Sequence, residues 1–366
     1  MYNGTVTTEL TAVDPSLDVE LMPGDYLSTD GAGTTSPIQS YGALSVTFTG
    51  AGGEVLNLAT GQTADIFIPV AQAELFNEPA STPLFYYDPV TGYWNEEGHA
   101  DLVTLPSGLR VFAGQVSHFT TWNADEEYVP VLITGCVVNS FGSPFGNVRV
   151  DGTGATYLGS SRAISDANGN FALPVRPLSD VLITVGDGLQ SGTIQVYSGS
   201  AGTSVAECLV ASAGSSTLNL TWGQDPSDLD TRFYGFSSVD SGDDFAVNYT
   251  QRSVTVNNID VELDVDDTSG FGPEIVTIPD FPFPGVFRYA VHLFSGDGTI
   301  ASSPARVELN LRGDITVFTP PPGTPSLCWA VLDITVDLTG NVTLTPLNAW
   351  TSESYCNSGD FPNPTL

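Results

Sequence analysis

Apolar residues in this chain recur at every second position, and that spacing constrains its fold more than any other feature. Runs such as Ala43-Leu44-Ser45-Val46-Thr47-Phe48-Thr49 and Ile259-Asp260-Val261-Glu262-Leu263-Asp264-Val265-Asp266 alternate apolar with polar side chains. A period of two places alternate side chains on opposite faces of a strand. No stretch of about 10–12 residues carries a clean apolar stripe at helical spacing. The runs are separated by turn formers, among 38 Gly and 25 Pro in all. The chain is therefore expected to be all-β and antiparallel. A domain commonly takes about 100–200 residues, so 366 residues suggest two or three. The breaks in pattern place three consecutive β-sandwich domains at 1–127, 128–213 and 214–366.

The charge balance removes several function classes. There are 42 Asp+Glu against 9 Lys+Arg, a net charge of -33, and every basic residue is Arg. Phosphate contacts need basic patches, so nucleic acid and anionic membrane surfaces are poor partners. Without Lys there is no Schiff base, no Walker-type lysine, no Ser–Lys dyad and no Lys–Asn crosslink. Divalent cations are the natural counterions of such a surface, although self-repulsion in the service of solubility gives the same composition. No run of about 18 apolar residues is present to span a membrane.

Four cysteines, Cys136, Cys208, Cys328 and Cys356, lack C-x-x-C spacing, which argues against zinc. An even number in a strand-rich acidic chain suggests two disulfides and an oxidising compartment. Of the three possible pairings, chain position favours Cys136–Cys208 and Cys328–Cys356, because each stays inside one expected domain. The segment from Met1 to Thr5 has no basic and apolar leader pattern. The expectation is a secreted or cell-surface product whose leader is missing from this sequence.

Three resemblances refine the domains. "YYDPVTGYWNEEG" at Tyr86–Gly98 is followed by "GQVSHFTTWNADEE" from Gly114, with "MPGDY" at Met22–Tyr26 and "SYGALSVTF" at Ser40–Phe48. Together they resemble a module of bacterial surface lipoproteins and, more distantly, astroprincin-type ectodomains, which implies extracellular display and supplies no catalytic site. "GSPFGNVRV" at Gly142–Val150 and "ISDANGNFALPV" at Ile164–Val175 resemble the carboxypeptidase regulatory-like sandwich. That resemblance implies a non-catalytic spacer with Cys136 and Cys208 on its first and last strands. "LNLTWGQDPSDLDTRFYG" at Leu218–Gly235, "NNIDVELDVDDTSGFGPEIVTI" at Asn257–Ile278 and "PGVFRYAVHLFSGDG" at Pro284–Gly298 resemble YfaP-like sandwiches of bacterial secreted proteins. The Pro-rich "FTPPPGTPSLCWAVLDI" departs from that pattern and leaves the last strands open. These resemblances make the expected domains immunoglobulin- or transthyretin-like.

The strongest chemical signal is the acidic alternation in the third section. A strand over Ile259–Asp266 would point Ile259, Val261, Leu263 and Val265 at the core and crowd Asp260, Glu262, Asp264 and Asp266 on the other face. Carboxylates roughly 7 Å apart repel one another, and a Ca2+ ion, which takes 6–8 oxygen ligands, would relieve that repulsion. The candidate ligands are Asp225, Asp228, Asp230, Asp264, Asp266, Asp267 and Glu274, with backbone carbonyls from Gly270-Phe271-Gly272-Pro273. The loop from Asp264 is not an EF-hand, because Ser269 stands where that motif needs Gly. A solvated acidic face is the competing reading.

Other constellations are weaker. His99, His118 and His292 show no metal-ligand spacing, and His118 reads as a packed structural residue. No G-x-S-x-G elbow accompanies them. The pairs Glu96-Glu97 and Asp243-Asp244 are what chance yields among 42 acids. Tyr86, Tyr87, Tyr93 and Trp94 could stack sugars, whereas burial is the usual fate of hairpin aromatics. Trp222 and Trp329 read as core. The expected role is non-enzymatic: adhesion, display or assembly at a surface or in a matrix, with glycans or other surface proteins as partners and self-assembly compatible with it. The alternatives are a Ca2+-dependent carbohydrate-binding protein and a secreted hydrolase with an unrecognised site.

Overall fold

In the computed structural model, residues 2, 4–30, 32–186 and 188–358 are described. Strands account for 54% of the chain and helix for 4%, so the period-two pattern did translate into an all-β protein. The described strands form five sheets, and no strand of the stretches 6–127, 131–211 and 216–351 pairs with a strand of another stretch.

The first stretch forms one nine-stranded sheet. Leu27–Thr29 pairs antiparallel with Thr35–Gly50 and parallel with Tyr93–Thr104, which closes part of the sheet upon itself. Two cores result because strand residues alternate faces. Along Thr121–Glu127, Trp122 and Ala124 enter one core with Ile68, Leu84 and Phe112. The other core gathers Met22, Tyr26, Ile38, Phe85 and Trp94. The aromatic hairpin is divided in the same way: Tyr86 packs at the first core and Tyr87 at the second. Trp94 is 1% exposed and Tyr87 lies 5.3 Å from it. These rings are packing elements and present no common stacking platform. His118 sits between Tyr86 and Trp122, at 4.7 and 5.0 Å between ring centroids.

The middle stretch holds two four-stranded sheets over a core of Ile133, Val150, Phe171, Leu173 and Ile183. The Asn168-Gly169 turn forms as its residues suggest: Gly169 has φ of 80°, and Asp166 accepts from the backbone N–H groups of Asn168 and Asn170. Only a residue without Cβ takes that φ at no steric cost. The Cys136–Cys208 disulfide joins the first strand, Val131–Asn139, to the residue just before the strand Leu209–Ala211.

The third stretch is a six-stranded sheet facing a five-stranded one. Trp222, Phe233, Phe287, Tyr289 and Trp329 fill the space between them. The Pro-rich tail resolves into an ordinary ending. Cys328–Val336 pairs with Gly285–Ser295, and Val342–Thr351 forms the edge. The short helix Glu353–Ser358 then covers Ala290 on the outer face, held by the Cys328–Cys356 disulfide. Both disulfides are those favoured by chain position. Among the described residues, no helix is long and apolar enough to cross a membrane.

Candidate metal centre

The strand Ile259–Val265 begins as its alternation dictates. Val261 and Leu263 are buried in the third core, while Asp260 and Glu262 are exposed and accept hydrogen bonds from Thr255 and Ser253. Its register against Glu274–Ile278 then shifts. Glu262 faces Thr277 and Leu263 faces Val276, but the next partner of Ile275 is Val265, so Asp264 is an extra residue. Such a bulge inverts the facing of everything after it. Val265 accordingly packs outward with Ile275 against Leu182 of the middle stretch. The Asp264 carboxylate accepts from Thr277 Oγ1 at 2.6 Å and from the Thr193 backbone N–H at 2.7 Å. Burial pushes its pKa up to about 6, against the pull of those two hydrogen bonds. The expected row of four acids on one face is thus broken, and Asp264 serves the contact between the second and third stretches.

The same inversion carries Asp266 towards Glu274. One carboxylate oxygen from each of Asp230, Asp266 and Glu274 lies within 4.8 Å of the other two. Glu274 precedes core residue Val276 by two positions, so it shares the core face of its strand and is 0% exposed. Its Oε2 accepts from the Thr231 backbone N–H. Its Oε1, Asp266 Oδ1 and Asp228 Oδ1 are buried oxygens that no donor group reaches, and a hydrogen bond between the Glu274 and Asp266 carboxyls needs a proton on one of them. Burial, then Asp266, holds the Glu274 carboxyl well above the usual carboxylate range. Burial, then Asp230, Asp266 and Asp267, pushes Asp228 up to about 6. Asp267 is raised by burial, although Ser269 donates to it.

Asp230 has a close buried cation and Asp266 only a distant one. Arg232 donates to Asp230 Oδ2 at 2.9 Å, and Arg252 reaches Asp266 only at 3.8 Å. His292 Nδ1 lies 3.6 Å from Asp230. Arg232 did not stand out in the sequence and His292 was set aside for want of ligand spacing, because the strand pairing that sets His292 opposite Asp230 is long-range. Asp225 is exposed. The Phe271 carbonyl accepts from the Trp222 backbone N–H at 3.2 Å and is occupied. The loop nevertheless has a defined shape. A Cβ on Gly272, at φ of 75°, would meet the Trp222 ring at 2.7 Å, so only Gly fits there.

The arrangement is a buried, all-oxygen, negatively charged cluster that could hold a metal ion. Carboxylate oxygens are the donors that hard cations such as Ca2+ take. Asp264 lies outside this group, which gives a test. Asp264→Ala leaves the buried Thr193 N–H unpaired and should lower unfolding free energy by about 1–3 kcal/mol in urea titration. Cation affinity, measured by titration calorimetry, should not change. Loss of cation binding in that variant would return Asp264 to the ligand set.

No family model matches the chain, and no curated protein matches it. Among solved structures, a protein of unknown function, SAV2460, is 19% identical with a TM-score of 0.30, covering 39% of this chain and 95% of its own. A homologue of the telluride resistance protein TerD from Streptomyces coelicolor A3(2) is 14% identical with a TM-score of 0.32, at the same two coverages. A streptococcal ancillary pilin is 10% identical with a TM-score of 0.19, covering 72% of this chain and 96% of its own. Likenesses this distant leave the functional reading to the residues themselves.

Proposed function

We propose that this is a non-enzymatic extracellular protein of a surface or matrix, built for adhesion, display or assembly, whose third section binds Ca2+. The carrying observation is the trio Asp230, Asp266 and Glu274, with the 0%-exposed Glu274 holding an unpartnered oxygen. An unpaired buried carboxylate is costly unless it is protonated or meets a cation. Two disulfides support an oxidising location. The lipoprotein-module, carboxypeptidase regulatory-like and YfaP-like resemblances belong to the same proposal. Thermal unfolding tests it. The melting temperature should rise with millimolar Ca2+, return with chelator, and respond far less to NaCl at matched ionic strength, since coordination is not screening. Coincident melting curves under all three conditions would end the calcium reading.

A further inference from the structure

The strand Val6–Val13 ends the nine-stranded sheet and pairs only with Thr35–Gly50. Its eight residues keep one register throughout, from Val6 opposite Gly50 to Val13 opposite Ala43. All of them except Val13 are exposed, whichever face they lie on. Leu10 is 64% exposed and Val6 43%. Free edges of this kind are normally blunted by shortness, proline, a bulge or charge. The other sheet ends among the described strands follow that rule. Ala64–Pro69 and Asn170–Val175 contain Pro69 and Pro174, and Val342–Thr351 contains Pro346 and a register shift. The rest have five residues or fewer. Val6–Val13 has only one carboxylate, Glu9.

The backbone decides which residues reach the free edge. Val46, opposite Leu10, donates its N–H to the Thr120 carbonyl, on the side away from Val6–Val13. Leu10 and Val46 are therefore a non-hydrogen-bonded pair, and such pairs alternate along an antiparallel ladder. The N–H and C=O groups of Val6, Thr8, Leu10 and Ala12 accordingly point at the free edge.

We propose that two copies of this chain pair antiparallel along Val6–Val13, about a two-fold axis at Leu10, so that two nine-stranded sheets become one. An axis perpendicular to the sheet keeps every residue on its own face. An axis at Glu9 would set two carboxylates directly opposite each other, which destabilises a sheet. Moving the axis to Leu10 pairs as many residues and sets Glu9 opposite Thr11, Thr8 opposite Ala12 and Thr7 opposite Val13. It also covers the exposed Leu10 with its own copy. Each copy carries a net charge of -33, and an edge with one carboxylate is where two of them meet with little repulsion. This gives the assembly in the reading above a surface, and it does not depend on the calcium centre.

Sedimentation of the whole chain over a range of concentrations should show a reversible monomer–dimer equilibrium. NaCl should tighten it, because salt screens repulsion between the copies. Thr8→Pro removes one outward N–H per copy and spares the bonds to Thr35–Gly50, since proline is tolerated at a sheet edge. It should weaken the dimer by about tenfold or more, the scale of two hydrogen bonds. Leu10→Cys should give a covalent dimer on mild oxidation, because directly paired Cα atoms, at about 5.5 Å, are within disulfide reach. Thr7→Cys should not, and this pair of variants decides the matter if the proline variant misfolds. A monomer at every concentration overturns the proposal and leaves the calcium, adhesion and display readings standing. A dimer that ignores Thr8→Pro, or that cross-links equally from Thr7→Cys, lies on another surface and overturns it too. A parent that stays monomeric but takes up an added strand peptide of unrelated sequence overturns the second copy in favour of a foreign strand.

Discussion

Glu274→Gln is expected to abolish the calcium response while leaving the calcium-free protein as stable as before, or more so. Gln keeps the shape and an oxygen for the Thr231 N–H but brings no charge to the Asp230–Asp266 cluster. Ligand binding confined to the folded state adds about 2.7 kcal/mol at a hundredfold excess over Kd, and the variant should forfeit nearly all of it. The gain in apo stability follows from burial, which already disfavours the charged form of Glu274.

The same groups set a pH dependence of definite sign. Asp228 titrates at about 6 in the folded chain and at about 4 when unfolded. Glu274 is raised in the same direction. A raised carboxyl binds protons more tightly in the folded state, so its contribution is complete below the unfolded pKa. That contribution is lost as pH climbs from about 4 through about 6 and beyond. Calcium-free melting temperatures should therefore carry a falling component across that window. Saturating Ca2+, which holds the carboxylates ionised, should cancel it. A Glu274→Gln variant that still gains stability from Ca2+ would exclude Glu274 as a ligand.

The largest loss of stability should come from a different buried charge. Arg288 and Asp333 face each other across neighbouring strands and are 4% and 2% exposed. Arg288 donates from Nε to Oδ1 at 2.7 Å and from Nη2 to Oδ2 at 2.8 Å. Asp333→Ala leaves the Arg288 charge buried opposite an alanine, which should cost about 3–5 kcal/mol. Asp333→Asn preserves an acceptor and should cost less. Chemical denaturation of the two variants and the parent checks the order. Similar, small losses in both would show that water reaches this pair and screens it.

What was legible in the sequence were the features with local causes. Alternation along Ile259–Leu263 fixed which side chains face the core, because a strand repeats every two residues whatever surrounds it. Gly169 marked its turn because its backbone conformation is chosen locally. The two disulfides followed from the distribution of four cysteines along the chain. The acidic cluster was legible only in part. Asp228, Asp230, Asp266, Asp267 and Glu274 could be named from composition and order, but Asp264 and Asp225 could not be told from them. A single extra residue opposite Ile275 turns Asp264 outward and Asp266 inward, and that residue is extra only relative to a partner strand. Likewise Tyr86 and Tyr87 enter different cores because the sheet closes on itself. Such placements are decided by long-range pairing and packing, which no local pattern encodes.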